Sequence, residues 1–343
     1  MKIRNESIIA TTLTILLLGG VSLVYFDWND ATEIAAVIAT DQEQTTSAAD
    51  PIVPLPLELS LDIRKVALGK RLFNDPGLSG DGSLSCVHCH NLATGGVDRL
   101  ARSRGIGGKE GGINAPTVFN SGFNFRQFWD GRAETLDDQV DGPLQHPLEM
   151  GGTWPQVIAT LSGDPLYHAD FKDIYRDGIA PPNVKDAIAT FERSLITPNS
   201  RLDRFLRGDH SALNEEELAG YRLFKQNGCT SCHQGVNIGG NMYQKLSIME
   251  DYFAVRGNMS EADQGRFNVT KREQDRHFFK VPSLRNVAVT PPYLHDGSAG
   301  TLEDSVNVMA RYQLGTEFNA AEVARIVAFL RTLTGEYQGQ PLK

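Results

Sequence analysis

The chain has four cysteines, and all of them fall in two pairs spaced C-x-x-C, each followed at once by histidine. The sequences are Cys86-Val87-His88-Cys89-His90 and Cys229-Thr230-Ser231-Cys232-His233. Residues three and four apart share a helix face, so a single turn can present two thiols and an imidazole together. That set suits covalent haem attachment: two thioether bonds to the vinyl groups and one axial nitrogen on the iron, the C-x-x-C-H signal. Other readings of the cysteines explain less. Structural disulfides would close short loops and leave both histidines unexplained. Zinc knuckles stand about 15–20 residues apart, whereas 139 residues separate these two pairs. A thioredoxin-like redox pair has no reason to recur with histidine in the same place. Two haem c groups are therefore expected, one on Cys86, Cys89 and His90 and one on Cys229, Cys232 and His233.

The elements that must position these groups repeat along the chain. Gly69-Lys70-Arg71-Leu72-Phe73 precedes the first motif and Gly220-Tyr221-Arg222-Leu223-Phe224 the second. Asn214 with Glu217 reads as an N-terminal cap for the helix leading to the second motif. Beyond each motif a longer match runs at a constant offset of 166 residues: Pro116-Thr117 with Pro282-Ser283, Asn120 with Asn286, Asp130-Gly131 with Asp296-Gly297, and Thr135-Leu136 with Thr301-Leu302. Each half then closes on a similar helix ending, Phe191-Glu192-Arg193-Ser194-Leu195 and Phe329-Leu330-Arg331-Thr332-Leu333. The expected fold is mainly α with few short strands, in two tandem cytochrome c-like haem domains at 57–205 and 206–338.

The differences between the halves matter most for chemistry. His90 and His233 each supply one axial ligand, which leaves the opposite face of each iron to be filled. In the second half Met309 lies on the helix predicted after Thr301-Leu302, and a thioether there would raise the haem potential and close the iron to small molecules. The same offset places Pro143 at the equivalent position of the first half, and proline cannot bind iron. One closed haem that stores electrons and one open haem point to an enzyme rather than a carrier.

A net charge of −9 argues against a nucleic-acid partner, whose phosphates call for a basic surface, and suits a basic protein. Lys2 and Arg4 precede an apolar run over 8–26, about 28 Å long as a helix and close to the hydrocarbon thickness of a bilayer. The basic flank places the rest of the chain across the membrane. The length favours an uncleaved inner-membrane anchor (1–30) over a cleaved signal peptide; both readings export the protein, to the periplasm of a Gram-negative bacterium. Residues 31–56 read as a tether without a core of its own.

With both motifs, the repeat and the Trp129/Met309 contrast assembled, the sequence resembles the bacterial dihaem cytochrome c peroxidases and their relative MauG over about residues 57–335. The carriers of this resemblance are Asn114-Ala115-Pro116-Thr117, Phe128-Trp129-Asp130-Gly131-Arg132, Pro147-Leu148-Glu149-Met150-Gly151 and Pro292-Tyr293-Leu294-His295-Asp296-Gly297. The resemblance implies Glu149 as the catalytic base, Gln139 as a hydrogen-bonding partner in the peroxide pocket and Trp129 as an indole between the haems. It also implies an interdomain calcium at Asn114, Thr290 and Pro292, His295 near the second haem, and dimerisation. The implied reaction is reduction of hydrogen peroxide with electrons from a small cytochrome c or cupredoxin.

One departure stands out. Many relatives close the first haem, when fully oxidised, with a histidine from the loop after the first C-x-x-C-H; here that loop, 95–112, contains none. The first iron is therefore expected to be five-coordinate or water-ligated without reductive activation. His146 is the nearest substitute ligand, although a supporting place beside Glu149 fits it better. His88, His168, His210 and His277 have no motif around them and are expected to be structural or exposed. The competing functions are a MauG-like oxidation of protein Trp or Tyr side chains, against which Met309 argues because MauG has tyrosine there, and a dihaem electron carrier without enzymatic activity.

Overall fold

The computed structural model describes residues 50–343. The expected anchor and most of the tether lie outside the described residues. Among the described residues no helix is long and apolar enough to cross a membrane.

The framework is two crossed helix pairs. In the first half α1 (Ile63–Phe73) packs on α6 (Pro181–Ser194). Between them stand α2 (Cys86–Cys89), α3 (Leu136–Gln145), α4 (Trp154–Ser162) and α5 (Pro165–Ile174). After α7 (Arg201–Leu206), the second half pairs α8 (Glu215–Gln226) with α12 (Ala320–Arg331). Between those lie α9 (Tyr252–Arg256), α10 (Phe267–Thr270) and α11 (Leu302–Val308). Glycine decides both crossings. A Cβ on Gly69 would meet the Ala187 carbonyl oxygen at 1.9 Å, and one on Gly220 would meet that of Arg325 at the same distance. Four residues on, the aromatic of each leading helix meets its partner: Phe73 on Phe191 at 5.3 Å and Phe224 on Phe329 at 5.1 Å between centroids.

Each pair shelters a hydrophobic core. One is built on Leu68, Leu72, Phe73, Leu144, Phe171 and Phe191, the other on Tyr221, Phe224, Leu302, Ile326 and Phe329. Strand content is small: β1 (Tyr243–Lys245) pairs antiparallel with β2 (Phe278–Lys280), and β3 (Glu336–Tyr337) with β4 (Gln340–Pro341). The expected cap holds, with Asn214 and Glu217 forming a reciprocal capping box on α8. Equivalent boxes start α3 (Thr135 and Asp138) and α11 (Thr301 and Asp304), so the helices expected to carry the distal positions begin alike.

The repeat extends to backbone conformation. Left-handed φ values recur at the 166-residue offset: 60° and 61° at Asn120 and Asn286, 68° and 70° at Phe128 and Leu294, 66° and 67° at Gly131 and Gly297. Such angles are uncommon for residues with a Cβ, and at Phe128 and Leu294 they turn the chain just before Trp129 and His295. One difference concerns the tether. Its last residues, 51–56, lie against the second half, where Ile52 and Leu55 are buried and Val53 accepts a hydrogen bond from Arg285 at 2.9 Å. The sequence reading overlooked this because the pairing is with residues far along the chain.

Candidate active site

Two cavities flank a shared wall. The first is lined by Cys86, Cys89, His90, Gln139, Pro143 and Glu149, the second by Cys229, Cys232, His233, Met309 and His295. Asn114, Trp129 and Lys280 line both. Of the sequence-derived residues, His90, Gln139 and Glu149 line one cavity, and His233 and Met309 line the other.

The wall is held by a pair of repeat-related hydrogen bonds. The Asn114 amide donates to the His295 carbonyl at 2.8 Å, and the Lys280 amide donates to the Trp129 carbonyl at the same distance. At the offset of 166, Asn114 corresponds to Lys280 and Trp129 to His295, so each half gives the other an equivalent contact. The Trp129 indole N–H adds a bond to the Asn114 carbonyl at 3.0 Å, which fixes the indole edge between the cavities.

Both histidines set one ring nitrogen against a backbone carbonyl. His90 Nδ1 faces the Gly96 carbonyl at 3.4 Å and His233 Nδ1 faces that of Ile238 at 3.3 Å. A proton held there leaves the Nε2 lone pair free for a metal. Burial lowers the His90 pKa and pushes that of His233 down to about 4, favouring neutral imidazoles. Burial also pushes the Cys86 thiol up to about 12 and those of Cys89 and Cys229 up to about 11. Thiols so disfavoured as thiolates are poor redox or zinc sites, and no disulfide joins them.

The helices that follow the equivalent capping boxes differ where they line the two cavities. On α3, Gln139 and Pro143 stand one turn apart and line the first cavity. On the other side α11 runs into a π-helical stretch, Met309–Leu314, whose first residue lines the second cavity. π-Helical turns are rare and occur often at functional sites. Glu149 is partly exposed, with His146 Nδ1 at 3.7 Å from a carboxylate oxygen. His146 itself is exposed and takes the Leu148 amide on that nitrogen at 3.3 Å; it stands beside Glu149 and is not among the residues lining the cavity. The loop 95–112 docks on the same segment: the Ile106 amide donates to the Glu149 carbonyl at 2.7 Å. A Cβ on Gly105 would sit 2.0 Å from the Leu148 carbonyl oxygen, so only glycine lets the loop approach this closely. The loop turns Ser103, Gly105, Gly111 and Gly112 to the cavity, none with an imidazole or thioether to offer.

Other placements are as follows. Asn114, Thr290 and Pro292 share the lining of the second cavity, and the Asn114 side-chain amide donates to the Leu100 carbonyl at 2.9 Å. Buried His295 bonds Asp263 at 2.7 Å, and Arg256 pairs with both Asp263 and Asp296. The guanidinium neutralises that cluster of acids, which argues against a cation there. His88, His168 and His210 are exposed, and His277 stacks on Phe253 at 4.2 Å.

Two residues escaped the sequence reading. Lys280 is buried in the shared wall, and burial alone pushes its ammonium down to about 8. A buried cation with no carboxylate acting on it calls for an anion, and the propionates of a haem are such anions. Its repeat equivalence to Asn114 was the available signal. Glu192 is buried on the first cavity wall; the aligned helix endings already showed it opposite Leu330.

The first part of the chain, residues 63–211, matches the family model for dihaem cytochrome c peroxidases. Cytochrome c peroxidase Ccp of Escherichia coli (strain K12) is 49% identical over 289 residues, 84% of this chain and 62% of that protein. Cytochrome c551 peroxidase of Nitrosomonas europaea is 45% identical over 291 residues, 84% of this chain and 86% of the relative. This chain belongs to the dihaem cytochrome c peroxidase family. It is an enzyme of that class, and the family's cofactor is a pair of haems. The chain spans less than two thirds of the E. coli relative's length. Among solved structures, a MauG-like protein associated with microbial copper homeostasis superposes with a TM-score of 0.73 at 27% identity, covering 85% of this chain and 95% of that one.

Proposed function

We propose that the chain reduces hydrogen peroxide to two waters, using two protons and two electrons from a small exported cytochrome c or cupredoxin. The observation that supports this reading is the asymmetry of the cavities: Glu149, Gln139 and Pro143 line the one that holds His90, and Met309 lines the one that holds His233. Cys86, Cys89 and His90 would hold the first haem, and Cys229, Cys232, His233 and Met309 the second. When bound, the haems supply the redox chemistry.

The chain's own residues do the rest. Glu149 takes the proton from one peroxide oxygen and returns it to the other, which departs as water. Gln139, one turn before Pro143, offers a carboxamide that orients peroxide. Trp129, fixed on Asn114, gives the electron path an aromatic step through the wall, and Lys280 balances propionate charge. Asn114, Thr290 and Pro292 would hold calcium through oxygen ligands. The two hydrophobic cores are read as two haem domains, the N-terminal one peroxidatic. The net charge of −9 favours a basic donor, and the apolar segment at 8–26 places the reaction in the periplasm.

A MauG-like oxidation of partner side chains is the second reading, favoured by the loop 95–112 without histidine and by the likeness to a MauG-like structure. Met309 weighs against it, since a thioether makes the second haem a better reservoir of electrons than a site of high-valent chemistry.

The test starts from fully oxidised protein mixed with reduced cytochrome c and peroxide. Oxidation of the donor should begin without a lag. A lag abolished by prior one-electron reduction would contradict the open first haem, and absence of turnover would remove peroxide reduction.

A further inference from the structure

The helices that close the two halves present the same face to the two cavities. On α6 the lining residues are Ile188 and Glu192; on α12 they are Ile326 and Leu330, at the same spacing and the same place in the repeat. Glu192 and Leu330 are equally buried, at 6% and 5% exposure. A carboxyl thus occupies a position that the fold fills with leucine when only packing is required. Burying it without compensation costs free energy, and its Oε2 is buried with no hydrogen-bond partner.

Without the positive charge of an oxidised haem beside it, the protein surroundings favour the protonated form. Burial pushes the Glu192 carboxyl up to about 8, Arg193 acting against this and Asp137 with it. Arg193 and Asp137 are paired with each other, from α6 and α3. From α2 the neighbouring group is Cys86, on the same cavity wall, which as a haem thioether carries no charge. Ser121, on the turn beside α6, and His90 line the same cavity, and the Ser121 hydroxyl oxygen is also buried without a partner. Of the charged side chains of α1, Arg64 pairs with Asp62, Lys65 with Asp186 and Arg71 with Asp170, and Lys70 is exposed.

We propose that Glu192 stores a proton for the first haem pocket: when that haem gains one electron, the Glu192 carboxylate takes one proton from solvent, and when the electron leaves, the proton is released. This rests on the reading that the Cys86/Cys89/His90 cavity holds a haem. An added electron removes one positive charge from the group beside the carboxyl, and through a low-dielectric wall that change is felt strongly. Linkage is reciprocal: a site whose proton affinity rises on reduction makes reduction more favourable when it is protonated. The stoichiometry fits the reaction, because reducing peroxide to two waters consumes one proton per electron. In the second cavity Leu330 takes the equivalent place, and Lys280 lines both cavities.

The experiment compares holoenzyme of the parent, Glu192→Gln and Glu192→Leu. Pyridine haemochrome absorbance first establishes two haems per chain, and each haem's reduction equilibrium is then followed spectroelectrochemically from about pH 5 to about pH 9. In the parent, the first haem's equilibrium should shift by up to tenfold per pH unit, as one proton per electron requires. Its reduced-minus-oxidised infrared spectrum should show the carbonyl stretch of a protonated carboxyl. In Glu192→Gln the infrared feature should vanish and the first haem's pH dependence should fall to that of the second, which is unchanged and shares the Lys280 wall; Glu192→Leu should behave alike, since leucine packs at this position in the other half. A variant with two haems and the parent's pH dependence would overturn the proposal, as would a first haem in the parent whose equilibrium ignores pH. Fewer than two haems in the parent would overturn the reading on which the proposal rests.

Discussion

Glu149→Gln should lower peroxide turnover by about 10²–10⁴-fold, the usual contribution of a positioned general acid–base group. That corresponds to about 3–5 kcal/mol of transition-state stabilisation. The substitution is nearly isosteric, and the local fold rests on the backbone: the Glu149 amide donates to the His146 carbonyl at 2.9 Å, and its carbonyl accepts from Ile106 at 2.7 Å. Haem content and the spectrum of the second haem should therefore be unaltered. The loss should fall on kcat and kcat/KM together, because the proton moves only on the way to the transition state. His146, 3.7 Å from the carboxylate, cannot replace it from an exposed position outside the cavity lining. Turnover within a factor of a few of the parent would make Glu149 a surface carboxylate and move the base elsewhere.

Arg285→Ala should destabilise the fold by about 3–5 kcal/mol, the range for breaking a buried ion pair from one side. Arg285 and Asp203 have side chains only 1% and 0% exposed and meet at 2.6 Å. The guanidinium also donates to the Val236 carbonyl at 3.0 Å and the Val53 carbonyl at 2.9 Å. The same Asp203 oxygen accepts the Leu55 amide at 3.2 Å. Removing the guanidinium leaves an uncompensated carboxylate and frees residues 51–56. Denaturant unfolding of the haem-loaded protein measures the loss. Combining Arg285→Met with Asp203→Leu should recover most of it, because neither charge is then stranded. A loss below about 1 kcal/mol in the single variant would contradict the isolation assigned to this pair.

The haem-attachment motifs, the repeat and the contrast between Pro143 and Met309 were legible because each is encoded by short spacing or constant offset. The helix start at Asn214 was legible for the same reason, since its capping box spans four residues, whereas the equivalent boxes at Thr135 and Thr301 emerge from the structure. Contacts between distant segments left no local trace. The pairing of Asp203 with Arg285 spans 82 residues, and at the repeat offset Arg285 corresponds to Phe119, a buried apolar residue. Residues 51–56 looked like tether because their proline content conceals the burial of Ile52 and Leu55. The docking of the loop on Glu149 depends on a missing Cβ at Gly105, which only the fold makes consequential. Lys280 and Glu192 carry charges that, on a short strand and a helix end, ordinarily mean solvent. Their burial follows from the cavities, which need both halves in place.

Electron paramagnetic resonance of the fully oxidised holoprotein tests the central claim, the inequality of the two sites, most directly. Met309 lines the cavity of His233, and its repeat equivalent in the cavity of His90 is Pro143, which cannot bind iron. One low-spin His/Met signal from the second haem and one high-spin signal from the first are predicted. A low-spin bis-histidine signal from the first haem, or two six-coordinate low-spin haems unchanged by peroxide, would contradict the account.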